Sequence, residues 1–152
     1  MIRLWLFLHL LGFTLWLGGA IAAMIMGIAA KREDRHGVGA VVRSQASLMK
    51  AAIAPGAIIA VLSGLILTFK LSSDLPGFNI WLVIMQGAGL VAALLTLLIS
   101  LPTAAKLSRL DPIGEAAGYF DELRQRQRVV GSIAGTLGLL ALFAGAMLTS
   151  ST

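Results

Sequence analysis

Four stretches of this chain run for the width of a membrane without a formal charge. They cover about residues 4–30, 51–69, 79–101 and 129–150, and none contains Asp, Glu, Lys or Arg. A membrane-spanning helix needs roughly 18–20 apolar residues. A charged side chain at its centre costs about 2.5–3.5 kcal/mol on the insertion scale, so the exclusion of charge is what such helices require. The expected fold class is all-α: an integral-membrane four-helix bundle. Composition agrees, with 58% hydrophobic and 12% charged residues, against about 45–50% apolar and 25% charged in soluble domains. The length of 152 residues fits one transmembrane domain over 1–152. With no cysteine, disulfides, thiolate metal sites and thiol nucleophiles are excluded.

The net charge of +5 invites a nucleic-acid reading, but its placement argues for topology instead, with no nucleic-acid partner. Lys31, Arg32, Arg35, Arg43 and Lys50 follow the first apolar stretch. Lys106, Arg109, Arg124, Arg126 and Arg128 follow the third. The N-terminus has only Arg3, and Lys70 alone edges the second loop. Positive charge stays on the cytoplasmic side, so the expected orientation is N-out and C-out. In a bacterium that means a multi-pass inner-membrane protein with both termini periplasmic. Arg3 ahead of an apolar run resembles a signal peptide, but the run is about twice the length of a signal h-region and is expected to remain as the first span.

The cytoplasmic segments are expected to be helical extensions of helices 2 and 4. Residues 38–50 prolong the second helix inward. Asp111-Pro112 reads as a helix start, an N-cap residue followed by Pro at the first helical position, leading through Arg128 into helix 4. Ser72–Gly77, SSDLPG, reads as a short outer turn. Helices 1–2 and 3–4 are a candidate parallel repeat.

Small residues recur: Gly12, Gly18, Gly19, Ala22, Ala23 and Gly27 in the first helix, and Gly131, Gly135, Gly138 and Gly145 in the fourth. Such residues let membrane helices approach closely, since packing must supply what lipid does not. A sharper reading is that some of them make room for a flat cofactor.

His9 is the only ionisable side chain inside the four stretches. It sits about 8 Å below the outer boundary at 1.5 Å rise per residue. Intramembrane ionisable residues are functional candidates by default. Gly12 and Trp16 follow at i+3 and i+7, so His9, Gly12, Trp16 and Gly19 or Ala20 form one inward stripe. A neutral imidazole there either hydrogen-bonds a neighbouring helix, ligates a metal or moves protons. Met85 lies at a matching depth, about 9 Å from the start of the third stretch. His and Met together are an axial pair for haem iron, although most methionines are core filler. Gln86 beside it is placed to cap a propionate or bond another helix.

Met24 and Met26 are two apart and face different sides of a helix, a poor copper pair. His36, in KREDRH, reads as a solvated loop residue. Trp5, Trp81 and Arg3 sit where interfacial anchors belong. No Walker loop, His-Glu-x-x-His motif or intramembrane carboxylate pair is present.

The series His9-x2-Gly12-x3-Trp16-x-Gly18-Gly19, with Pro55, Ser63-Gly64-Leu65 and Trp81, resembles two families of small bacterial membrane proteins. These are the copper resistance D-like family and the membrane protoporphyrinogen oxidase-like family. The resemblance spans roughly residues 4–100. In the oxidase-like family, haem b is held by the first-helix His and by a Lys four residues after the third-helix Trp. His9 matches the first position, and Met85 stands where that Lys would be. The resemblance therefore implies a haem b site with His9 and Met85 as iron ligands, while the substitution of Met for Lys counts against protoporphyrinogen oxidation.

Three functions are expected in this order. The first is a haem b-binding redox or electron-transfer protein near the periplasmic face, exchanging electrons with a quinone or small oxidant. The second is a non-catalytic subunit or assembly factor in a homo-oligomer or larger membrane complex. The third is copper handling, for which the chain lacks the several Met and His ligands that conduction needs.

Overall fold

The computed structural model describes residues 1–71 and 79–150. The described residues form four long helices, each long and apolar enough to cross a membrane: α1 (Ile2–Arg32), α2 (Arg35–Lys70), α3 (Ile80–Leu107) and α4 (Ala117–Ser150). The SSDLPG turn lies outside the described residues.

Local chemistry sets the boundaries. Asp34 opens α2 by accepting from the Gly37 amide at 2.7 Å. Asn79 opens α3 by accepting from the Trp81 amide at 3.0 Å. Each carboxylate or amide oxygen satisfies a donor that the first turn leaves unpaired. Residues 38–50 are helical and continuous with the apolar part of α2. The start of α4 differs from expectation. Asp111 accepts from the Ile113 amide at 3.0 Å and closes a turn rather than a helix. Gly114 then takes φ +83°, a left-handed conformation open to glycine at little steric cost, and α4 begins at Ala117.

Two of the helices change gauge partway. α2 contains a π turn at Met49–Ile53 and α3 another at Leu95–Ser100. In each, the closing amide bonds five residues back, Ala54 to Met49 and Leu101 to Thr96. Pro55 and Pro102 follow directly. A proline inside a helix has no N–H to donate and crowds the carbonyl four residues earlier; the wider turn relieves that crowding by re-pairing the backbone.

The helices pack as two hairpins, α1 on α2 and α3 on α4. The α1–α2 crossing is built by glycine. A Cβ on Gly12 would lie 2.6 Å from the Ala60 nitrogen, and one on Gly19 would lie 2.6 Å from Ile53 Cγ1. The central core sets Trp16, Met49 and Ile53 among small residues: Ala46, Ala57, Ala60, Ala92, Ala93 and Ala104. A second core at the charged end joins Ala30, Val38, Val42, Leu107, Leu123 and the fully buried Phe120. Thus the polar extensions of α2 and α4 hold each other through an apolar seam. Arg35 and Asp121 pair at 2.9 Å on its rim, both exposed. Outside the apolar stretches the Arg35 guanidinium holds the Asp121 carboxyl below the usual carboxylate range. Leu4, Phe7, Leu10, Ile25, Leu98 and Phe143 point outward, the belt a lipid-facing surface requires.

Candidate functional site

His9 lies at the α1–α2 interface. Its Nδ1 is 2.7 Å from the Ala60 carbonyl oxygen. A carbonyl only accepts, so Nδ1 carries the proton and donates it. Nε2 is left with its lone pair and has no hydrogen bond among the described residues. The ring lies on Gly64, where a Cβ would come within 3.0 Å of Cε1. Ser63 sits beside it at 3.4 Å from Nδ1 while donating its hydroxyl to the Ile59 and Ala60 carbonyls. Phe13 tilts against the imidazole at 6.4 Å between centroids.

The stripe continues as spaced in the sequence. Gly12 and Gly19 meet α2, and Trp16, 5% exposed, turns toward α3. Its indole N–H donates to Thr96 Oγ1 at 3.2 Å, and Thr96 donates in turn to the Ala92 carbonyl at 2.8 Å. Trp16 thereby ties the first hairpin to the π turn of α3. Ala20, the alternative to Gly19 in the stripe, lines a cleft instead.

Met85 and Gln86 have other partners. Met85 belongs to the α3–α4 hairpin, with its Sδ 3.2 Å from where a Gly145 Cβ would stand. Gln86 donates to Thr68 Oγ1 at 2.6 Å, bridging α3 to α2. His9, Gly12 and Trp16 thus share one face, and Met85 and Gln86 occupy two further interfaces. Among the described residues no three His, Asp or Glu side chains cluster closely enough to hold a metal ion.

A feature the spacing arguments missed lies further along α1. A cleft of about 520 Å³ separates α1 from α4, floored by α2 and α3. It runs from Phe13 and Trp16 to Lys31 on α1, and from Leu139 to Arg124 on α4. Gly131 and Gly135 face it, and among the described residues no atom lies within 4 Å of where their Cβ would be, whereas a Cβ on Gly138 would touch Leu17 and one on Gly145 would touch Met85. The four glycines in the apolar part of α4, Gly131 to Gly145, therefore divide into two that make contact and two that hold space. Arg124, Gln127, Arg128, Gly131, Gly135 and Gly138 fall on one helical face, but that spacing alone does not separate a face that packs from one that lines a cleft.

A family model described as "Predicted integral membrane protein (DUF2269)" matches residues 3–150. No curated protein and no solved structure matches the chain.

Proposed function

We propose that this chain, which belongs to the DUF2269 family of predicted integral membrane proteins, binds haem b through His9 and has a redox or electron-transfer role in a bacterial inner membrane. The observation that carries the reading is the 2.7 Å hydrogen bond from His9 Nδ1–H to the Ala60 carbonyl. Metal-ligating histidines characteristically donate their second ring N–H to a carbonyl or carboxylate, which fixes the tautomer and raises the basicity of the ligating nitrogen. Here that nitrogen is Nε2. The resemblance of the His9-to-Gly19 helix to haem-holding membrane proteins supports the same reading. Bound haem supplies a one-electron couple. Ala60 orients the ring, and Gly64, lacking a Cβ, leaves it room. Met85 is the second ligand in this reading and Gln86 the donor to a propionate, in exchange for their present partners Gly145 and Thr68. The distribution of Lys and Arg supports periplasmic termini, with the charged extensions of α2 and α4 cytoplasmic.

The test is an absorption spectrum of detergent-purified protein from haem-replete cells, oxidised and then reduced with dithionite. A Soret band with reduced α and β bands, lost in His9→Ala, is expected. A colourless protein overturns the reading. It would favour a second one, a non-catalytic packing subunit or assembly factor, which the bonding of the His9 ring into the α1–α2 interface and the packing of Met85 on Gly145 support.

A further inference from the structure

We propose that the cleft between α1 and α4 is a binding site for one anionic phospholipid, its headgroup held by Lys31, Arg124 and Arg128 and an acyl chain lying along Gly131 and Gly135.

Three independent observations converge there. The first is space. The cleft measures about 520 Å³, and Gly131 and Gly135 leave its α4 wall bare. From Arg128 to Leu139 that wall runs about 16 Å at the helical rise. This is near half of the roughly 30 Å hydrocarbon core, the depth that an acyl chain of one leaflet fills.

The second is unmet hydrogen bonding. Ser100 is 2% exposed, and its Oγ has no partner among the described residues. Gln127 Oε1 is likewise buried without one. Both residues line this cleft. Buried polar atoms in native proteins are nearly always paired, and leaving one unpaired costs free energy. An ester carbonyl of a lipid can accept from the Ser100 hydroxyl, and a headgroup hydroxyl, as in phosphatidylglycerol, can donate to Gln127 Oε1, which lies one residue from Arg128.

The third is charge. Lys31, Arg124 and Arg128 line the mouth, and the lining holds no Asp or Glu. Arg124 and Arg128, one turn apart on one face, repel each other, and the nearest carboxylate, Asp121, attracts both but has its oxygens bonded to Arg35. Guanidinium groups pair with phosphate oxygens in a bidentate fork, so a phosphodiester resolves that repulsion. A neutral apolar molecule leaves it in place, and so does the helix of a second copy of this chain unless it brings an acid to the mouth.

The test uses the full chain in a mild detergent. Thermal stability and lipid retention, the latter by native mass spectrometry, are measured with added phosphatidylglycerol, phosphatidylcholine or inorganic phosphate. Phosphatidylglycerol is expected to raise the unfolding midpoint and to be retained as one molecule, with phosphatidylcholine and free phosphate without effect. Arg124→Gln with Arg128→Gln should weaken that binding at least about tenfold, the scale of losing charged hydrogen bonds. Gly135→Leu, whose side chain enters open space, should fold and exclude the lipid. Equal stabilisation by phosphatidylcholine overturns the proposal, as does retention unchanged in the double variant. A response to inorganic phosphate alone reduces the site to an anion site and overturns the acyl-chain assignment. A dimer broken by Gly135→Leu without dependence on lipid also overturns it, assigning the cleft to a second copy.

Discussion

Gly12 and Gly56 meet backbone to backbone. A Cβ on Gly12 would stand 2.8 Å from the Gly56 carbonyl oxygen, and a Cβ on Gly56 would stand 2.7 Å from that of Gly12. These are main-chain atoms, which cannot swing aside. Gly12→Ala or Gly56→Ala should therefore push α1 and α2 apart and cost about 1–3 kcal/mol each, the range for overpacking. Thermal unfolding in detergent measures it. Gly18→Ala is the control: among the described residues no other element comes within 4 Å of where its Cβ would be, and its midpoint should hold or rise.

The Trp16–Thr96 hydrogen bond joins the two hairpins. Trp16→Phe keeps most of the ring but loses the donor, and should cost about 1 kcal/mol, with Thr96→Val similar. In the double variant the losses should fall short of their sum, because either substitution alone breaks the same bond. Strict additivity would mean that the 3.2 Å contact contributes nothing.

Gly64 sets the position of the His9 ring. Gly64→Ala places a methyl 3.0 Å from Cε1, which should displace the imidazole and lengthen its bond to Ala60. In protein carrying haem, the Soret maximum should shift or fall in Gly64→Ala and vanish in His9→Ala. An unaltered spectrum in both would separate any haem from this histidine.

Phe120 is wholly buried at the charged end. Phe120→Ala should cost about 3–5 kcal/mol, the range for large core truncations. Proteolysis should then cut first within residues 109–116. Equal protection of that segment in variant and parent would mean that the second core does not hold it.

The Arg35–Asp121 pair should matter little, since exposed pairs are weakened by solvent and salt. Its sign is nonetheless fixed. The Asp121 carboxyl is held low by Arg35, so its contribution is present at neutral pH, above the ordinary carboxylate range. It is lost as pH falls through the lowered value. Any difference in midpoint between parent and Arg35→Ala should therefore shrink on acidification.

The spans were legible because excluding charge from lipid is a strong, residue-by-residue constraint. The His9–Gly12–Trp16 stripe was legible because helical spacing alone puts those residues on one face. The start of α4 was not, because Asp111-Pro112 suits a turn as well as a helix and Gly114 decided between them through its positive φ. The cleft was not legible either. Lys31, Arg124 and Arg128 read as topology charges, and a glycine that contacts a neighbour looks in sequence like one that holds space open. The difference between Gly138 and Gly135 lies in where Leu17 of another helix happens to reach.

The π turns carry a consequence for how this bundle divides its labour. A wide turn takes up about one residue more than an α turn, so the sequence beyond it is out of phase with the sequence before it by roughly 100° of rotation. In α3, the apolar half from Ile80 packs on α4, while past the π turn Ala104 joins the central core beside Ala46 and Leu107 the charged-end core beside Val38 and Val42. One continuous rod thus presents two independently aimed faces. Removing a single residue from Leu95–Ser100 would restore the α phase and turn one half's contacts toward lipid, although every side chain in both halves stayed the same.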